Sequence, residues 1–320
     1  MGVSRLNRAA GAKGARKQTR AQIGRLGDNV LTKRVTANYT KFAARFFQWA
    51  FGSSECPSVS SYVRLDQLCA EYIEQLWGEG EPKGWASTTL AAVQHFIPGA
   101  RHHLPSAWRL KSAWDKHELP ERAPPLSVDV VLGISGVMIS VGHPRSALAV
   151  ALAFHGLLRT GEVLAIRKRD VTFAKTGKSA IINLRMTKSG QRLNQHEMVS
   201  VDDAFLVQWL SKALRELLPG DPIVAQTPQA FRKLFYGSIR VLGLTRMEYK
   251  PYSLRRGGAT HHYRVFGDIN GTALRGRWAN IKTARIYITD ALVKLQEFDF
   301  TASELEGLKI FKKKAVKAAS

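Results

Sequence analysis

Pro251-Tyr-Ser-Leu-Arg-Arg-Gly-Gly-Ala-Thr-His261, followed by Gly276-Arg-Trp-Ala-Asn-Ile-Lys-Thr-Ala-Arg-Ile-Tyr287, is the stretch on which the reading of this 320-residue chain turns. It sets two arginines, an indole N–H donor and a late tyrosine close together. Guanidinium groups are planar, permanently charged forks that match the oxygens of a phosphodiester. A phenol oriented in a strongly positive pocket is a nucleophile for phosphorus. Upstream, Gly156-Leu-Leu-Arg159-Thr-Gly-Glu162-Val163 places a further arginine at the end of an apolar run, where a charge is costly unless an anion meets it.

These segments together resemble the signature of the tyrosine recombinases, the phage-integrase family. Trp278 follows Arg255 by 23 residues and Tyr287 follows Trp278 by 9, intervals typical of that family. The resemblance implies that Arg159, Arg255 and Trp278 bind the scissile phosphate and that Tyr287 is the nucleophile. It also implies a lysine on a β-hairpin turn as general acid. Lys188 is the candidate, with Lys168, Lys175 and Lys178 as nearby competitors. Glu162 resembles the family's acidic residue at this place and is assigned to orienting Arg159, against the blander reading of a surface ion pair. One position departs, because the family's histidine three residues before its second motif arginine is Tyr252 here. A phenol donates a hydrogen bond but does not exchange protons near pH 7 as imidazole does, so Tyr252 is kept as a supporting residue. Arg256 is left outside the site as a contact to backbone phosphate or to an acidic neighbour. His155, His261 and His262 are read as packing or surface residues.

A phosphodiester under attack gathers negative charge on its non-bridging oxygens, which fixed guanidinium donors stabilise. The departing 5′ oxygen needs a proton, and a lysine whose pKa is lowered by adjacent arginines supplies one. The product is a 3′-phosphotyrosine that conserves the bond energy, so rejoining needs neither ATP nor metal. The sequence has no P-loop, carboxylate metal cluster or zinc-ligand pattern, and no cofactor is implied.

Composition agrees with a polyanionic partner. Forty-eight Lys and Arg stand against 25 Asp and Glu, a formal net charge of +23. Charge alone does not separate double-stranded DNA from RNA or an anionic membrane surface. No run reaches the roughly 18 apolar residues that span a bilayer, and the N-terminus lacks a secretory apolar segment, so an intracellular location with DNA and no membrane partner is expected. Cys56 and Cys69 fit a reducing compartment, Cys69 within an apolar helical stripe. Residues 1–34 carry nine Lys and Arg against Asp28 alone, interleaved with glycine and alanine. This segment is read as a disordered basic arm that grips DNA backbone; a solvated tail and an organellar transit peptide fit the same composition.

The expected fold is mainly α with a small antiparallel β-sheet. Apolar residues at helical period mark a helical domain over 35–116, and a proline-bearing linker is read over 117–126. A catalytic domain over 127–300 follows, with Ala147 to Leu158 as its buried central helix. Short β segments are predicted at Val171–Phe173, Ala180–Leu184 and Met198–Val201. Residues 301–320 read as a basic amphipathic helix that packs on a neighbouring protomer or in cis. The resemblance makes the first domain a SAM-like core-binding module and the second the DNA breaking–rejoining fold, closing as a C-shaped clamp. It implies a site-specific DNA recombinase or integrase acting as a homo-oligomer, a tetramer, on double-stranded DNA. The competing readings are a catalytically silent, recombinase-derived DNA-binding protein and a type IB topoisomerase-like enzyme.

Overall fold

Aromatic side chains organise the N-terminal unit, residues 1–121. Phe46 is fully buried on α1 (Lys33–Phe51) and meets Tyr72 of α2 (Tyr62–Gly78) edge-on, ring centroids 5.4 Å apart. Both helices start at side-chain caps, Thr32 accepting from the Val35 N–H and Ser61 from the Arg64 N–H. α3 (Gly84–Phe96) and α4 (Pro105–His117) complete the bundle. The first turn of α4 is capped from another helix: the buried Asp66 carboxylate accepts the N–H groups of Ser106 and Ala107, each at 3.0 Å. Cys69 lies in this core, its thiol pushed up to about 12 by burial and then by Asp66.

The structure is a computed structural model and describes residues 13–22, 24–27, 30–184 and 197–319, of Asp290 the main chain only. Residues 13–22 form an exposed helix. Alanine, arginine, lysine and glutamine, which make up most of it, are strong helix formers.

The second unit, residues 122–320, is built around α5 (Val128–Ser140) and α6 (Pro144–His155), whose mostly apolar surfaces are buried. The apolar run that predicts a helix to Leu158 stops at His155, because Leu157 turns to the left-handed conformation at φ 49°. After α7 (Thr160–Ala165) come β1 (Val171–Phe173), β2 (Ala180–Leu184) and β3 (Glu197–Val201), an antiparallel sheet in that order. Val171 pairs with Ile182, and Leu184 with Glu197, the last pair of β2 and β3 among the described residues. On β2, Ala180, Ile182 and Leu184 are buried and Ile181 is exposed, the alternation of a sheet with one face on the core. The helices α8 (Ala204–Leu214), α9 (Pro228–Val241), α10 (Ser253–Phe266), α11 (Ile269–Arg275), α12 (Ile281–Tyr287), α13 (Asp290–Phe298) and α14 (Ala302–Ala319) follow.

The segment read as a linker over 117–126 is not one free stretch. His117 closes α4, and 122–126 is built into the second unit. The Ala123 carbonyl accepts from Arg256, and Leu126 is 1% exposed with its N–H 3.4 Å from the Ser253 carbonyl. The glycines after the paired arginines allow this: a Cβ at Gly257 would strike the Leu126 main chain, and one at Gly258 the Phe154 carbonyl. α10 is thereby pressed between the entry segment and the end of α6. The C-terminal helix lies in cis on α5, with Leu308 and Ala315 buried and Lys312 paired to Asp129 at 2.5 Å. No described helix is long and apolar enough to cross a membrane.

Candidate active site

The end of a helix leaves carbonyls without helical partners and carries the negative end of the helix dipole. At the end of α6 three arginines use them. Arg275 Nε donates to the His155 carbonyl at 2.9 Å, and Arg277 donates to Gly156 at 3.2 Å and to Leu157 at 3.3 Å. Arg255, 1% exposed, donates to Leu157 at 2.5 Å. The Leu158 N–H reaches back to the Ala153 carbonyl at 2.9 Å, a Schellman ending whose left-handed position normally holds glycine and here holds Leu157.

α11 ends in the same way, with Arg277 left-handed at φ 55° and the Trp278 N–H 3.0 Å from the Ala273 carbonyl. The Gly276 carbonyl takes the second bond from Arg255, at 2.5 Å. A Cβ at Gly276 would collide with the Trp278 ring, so glycine there lets the indole fold back on its own turn. The Arg255 guanidinium carbon stands 4.8 Å from the centre of the Trp278 ring and 5.9 Å from that of Tyr287. Tyr287 is the last residue of α12, its ring centroid 4.4 Å from that of Trp278. Tyr252 completes the cluster, its ring 5.8 Å from Tyr287 and the two hydroxyls hydrogen-bonded to each other.

Glu162 joins this cluster to Arg159. Its carboxylate accepts the Arg159 main-chain N–H at 2.9 Å, capping α7, and pairs with the Arg159 side chain. It also pairs with Arg277 at 2.7 Å and stands 3.9 Å from Arg255. Glu162 is 8% exposed, so this is no surface ion pair. Burial pushes its carboxyl up, but Arg277 and the bonds from Arg159 outweigh that and hold it below the ordinary value. Arg255 is brought down to about 10 by burial and then by Arg159 and Arg277, and stays charged at neutral pH. Tyr252 is pushed up to about 12 by burial and by its bond to Tyr287, so it remains a neutral O–H donor.

No protein-family model matches the sequence, and no curated protein matches it. Solved structures do. The Tn1549 transposon integrase (residues 82–397) in complex with circular intermediate DNA matches with a TM-score of 0.60 at 12% identity, over 84% of this chain and 95% of that one. A lambda integrase (75–356) dimer bound to a core site matches at 0.57 and 14% identity, over 83% and 92%. XerH site-specific recombinase bound to a palindromic difH substrate matches at 0.53 and 17%, over 76% and 72%. The chain has the tyrosine-recombinase fold.

On this tyrosine-recombinase scaffold Arg159, Glu162, Tyr252, Arg255, Trp278 and Tyr287 come together in one cluster, whereas Lys188 lies outside the described residues. Arg256 is 4% exposed and bonds the carbonyls of Ala123 at 2.7 Å and Ile286 at 3.2 Å. Thr260 was not singled out, yet its hydroxyl is 3.2 Å from the Tyr287 carbonyl and accepts the Thr289 N–H at 3.1 Å. Its spacing of four from Arg256 puts both on one face of α10, which was the available signal. Arg277 was also missed, and nothing in the string Gly-Arg-Trp marks an arginine as left-handed.

Proposed function

We propose that the chain cleaves and rejoins double-stranded DNA through a 3′-phosphotyrosyl intermediate, as a site-specific recombinase or integrase. The observation that carries this reading is Tyr287 seated on Trp278 within 5.9 Å of the Arg255 guanidinium, its hydroxyl bonded to Tyr252. Tyr287 gives up its phenolic proton to solvent, its oxygen bonds to phosphorus, the bond to the 5′ oxygen breaks, and that oxygen leaves as a 5′-hydroxyl with a proton from a general acid. Lys188 is our candidate for the acid. Arg159 and Arg255 meet the charge that builds on the non-bridging oxygens. Two of the five N–H groups of Arg255 are spent on carbonyls, and its Nε has no partner among the described residues. The remaining donors are covered by the Trp278 and Tyr287 rings, so phosphate reaches them when the Tyr287 ring lifts. The enzyme works as a homo-oligomer, a tetramer when two duplexes exchange strands.

A duplex nicked next to the scissile phosphate traps the intermediate, because the short 5′-hydroxyl fragment diffuses away. The expected result is a covalent adduct mapped by mass spectrometry to Tyr287 and absent from Tyr287→Phe. Binding with no adduct on any selected site leaves a silent DNA-binding protein, and relaxation of any supercoiled plasmid without site preference leaves a topoisomerase.

A further inference from the structure

The helix that ends at Tyr287 is short and has little of itself in the core. α12 runs for seven residues, of which only Ala284 is buried. Two helical turns do not hold themselves in water, so the place of α12 depends on what it is attached to. The contacts of the Tyr287 ring with Trp278 and Arg255 are one attachment, but they are lost whenever the ring lifts to admit a phosphate. The other attachment is through the main chain. A helix end leaves carbonyls free, and α10 takes two of them from a single face. Nη2 of Arg256 donates to the Ile286 carbonyl at 3.2 Å, and the Thr260 hydroxyl stands 3.2 Å from the Tyr287 carbonyl. Thr260 also accepts the Thr289 N–H at 3.1 Å, so the chain is held on both sides of Ile288. The single hydroxyl hydrogen of Thr260 is shared with the Arg256 carbonyl, at 3.1 Å, which leaves Arg256 the larger part of the hold. The other arm of Arg256, Nη1, donates to the Ala123 carbonyl at 2.7 Å, in the entry segment that presses on Gly257.

We propose that Arg256 and Thr260 are positioning residues that fix the main chain of Tyr287 while its ring moves between the Trp278 face and a bound phosphate. Guanidinium suits this task, because its fork addresses carbonyls of two segments at once and its charge matches the negative end of α12. Neither side chain needs to touch DNA for this: both are buried, 4% and 1% exposed, and four residues apart on one face of α10. The catalytic consequence rests on the phosphotyrosyl reading, whereas the hold itself is a property of the free protein.

The test uses the full chain with Arg256→Met, which keeps the length and loses the donors, Thr260→Val, which loses the hydroxyl, and Thr260→Ser, which keeps it. The Ile288 N–H bonds the Ala284 carbonyl, and none of the three substitutions touches either group. Without DNA, its hydrogen exchange should quicken about fivefold in Arg256→Met and Thr260→Val, the factor one lost hydrogen bond gives, and should stay at the wild-type rate in Thr260→Ser. Unchanged exchange at Ile288 in Arg256→Met overturns the hold, whether or not the protein cleaves DNA. For the catalytic consequence, single-turnover adduct formation on the nicked duplex should slow about a hundredfold in Arg256→Met with unchanged affinity for DNA, the cost of a nucleophile set out of line. A second substrate bypasses the tyrosine: a strand ending in a 3′-p-nitrophenyl phosphate beside a strand with a 5′-hydroxyl. There the 5′ oxygen bonds to phosphorus, its proton passes to solvent, and p-nitrophenolate leaves. Arg256→Met should join these strands at least as fast as the wild type, as should Tyr287→Phe. Equal losses in cleavage and in joining would mean that Arg256 acts on the phosphate pocket and would overturn the proposal, as would adduct formation at the wild-type rate. Should the wild-type chain form no adduct and join no strands, the phosphotyrosyl reading fails while the exchange data still decide the hold.

Discussion

Tyr252 stands where proton exchange would be expected of an imidazole, and its environment gives it a different task. Burial and the bond to Tyr287 keep it protonated up to about 12, so at neutral pH it has a hydrogen to give and no capacity to take one. In the proposed reaction that hydrogen, donated to the Tyr287 oxygen, would stabilise the phenolate as attack begins. A hydrogen bond to a charged group contributes about 1.5–3 kcal/mol. Tyr252→Phe should therefore slow adduct formation in single turnover by about ten- to a hundredfold, with unchanged affinity for duplex DNA. Tyr252→His should recover much of the rate and add a dependence on pH near about 6.5, where imidazole titrates. A Phe variant that cleaves at the wild-type rate would remove Tyr252 from the mechanism.

The ends of elements, more than their middles, build the site, and that decides what the sequence could tell. Long periodic stretches were legible: the β segments fell within a residue of their predicted places, and Arg255, Trp278 and Tyr287 converge as their spacing implied. The left-handed turns at Leu157 and Arg277 were not legible, because the usual marker is glycine and neither position has one. The role of Arg256 was equally hidden, since main-chain carbonyl partners leave no trace in sequence. The end of α6 also carries a titratable group. Arg275 donates to both the His155 carbonyl and, at 2.7 Å, the His155 Nε2, which requires the neutral imidazole. Burial, then Arg275, lowers His155 from 6.5 to about 4. Below 6.5 the unfolded chain binds the proton that the folded one refuses, so stability falls as pH drops from 6.5 toward 4 and is flat in this respect above. Thermal melts across that window should show His155→Gln losing less stability than wild type on acidification. Parallel curves for the two proteins would mean that the imidazole is not held neutral.

At the scale of the whole chain, a formal charge of +23 predicts binding to duplex DNA that weakens with salt, but not every cation contributes to that dependence. Only groups that neutralise phosphates release condensed counterions, each adding about 0.9 to the slope of log affinity against log salt. Arg256 and Arg277 bond protein carbonyls, and Arg277 also pairs with a carboxylate. Their charge is committed inside the fold before DNA arrives. Arg159, 33% exposed on its side chain, is the most open guanidinium of the cluster. Among the surface cations, Lys282 and Arg285 sit on the exposed side of α12, next to Tyr287. Removing the charge of Lys282 or Arg285 should lower the salt slope by about 0.9 each if they touch phosphate, whereas Arg277→Gly should leave the slope unchanged while altering cleavage. Fluorescence anisotropy on one duplex over a series of salt concentrations measures this. A slope that falls in Arg277→Gly would place that side chain on the DNA instead of inside the protein, against the carbonyls and the Glu162 carboxylate it holds here.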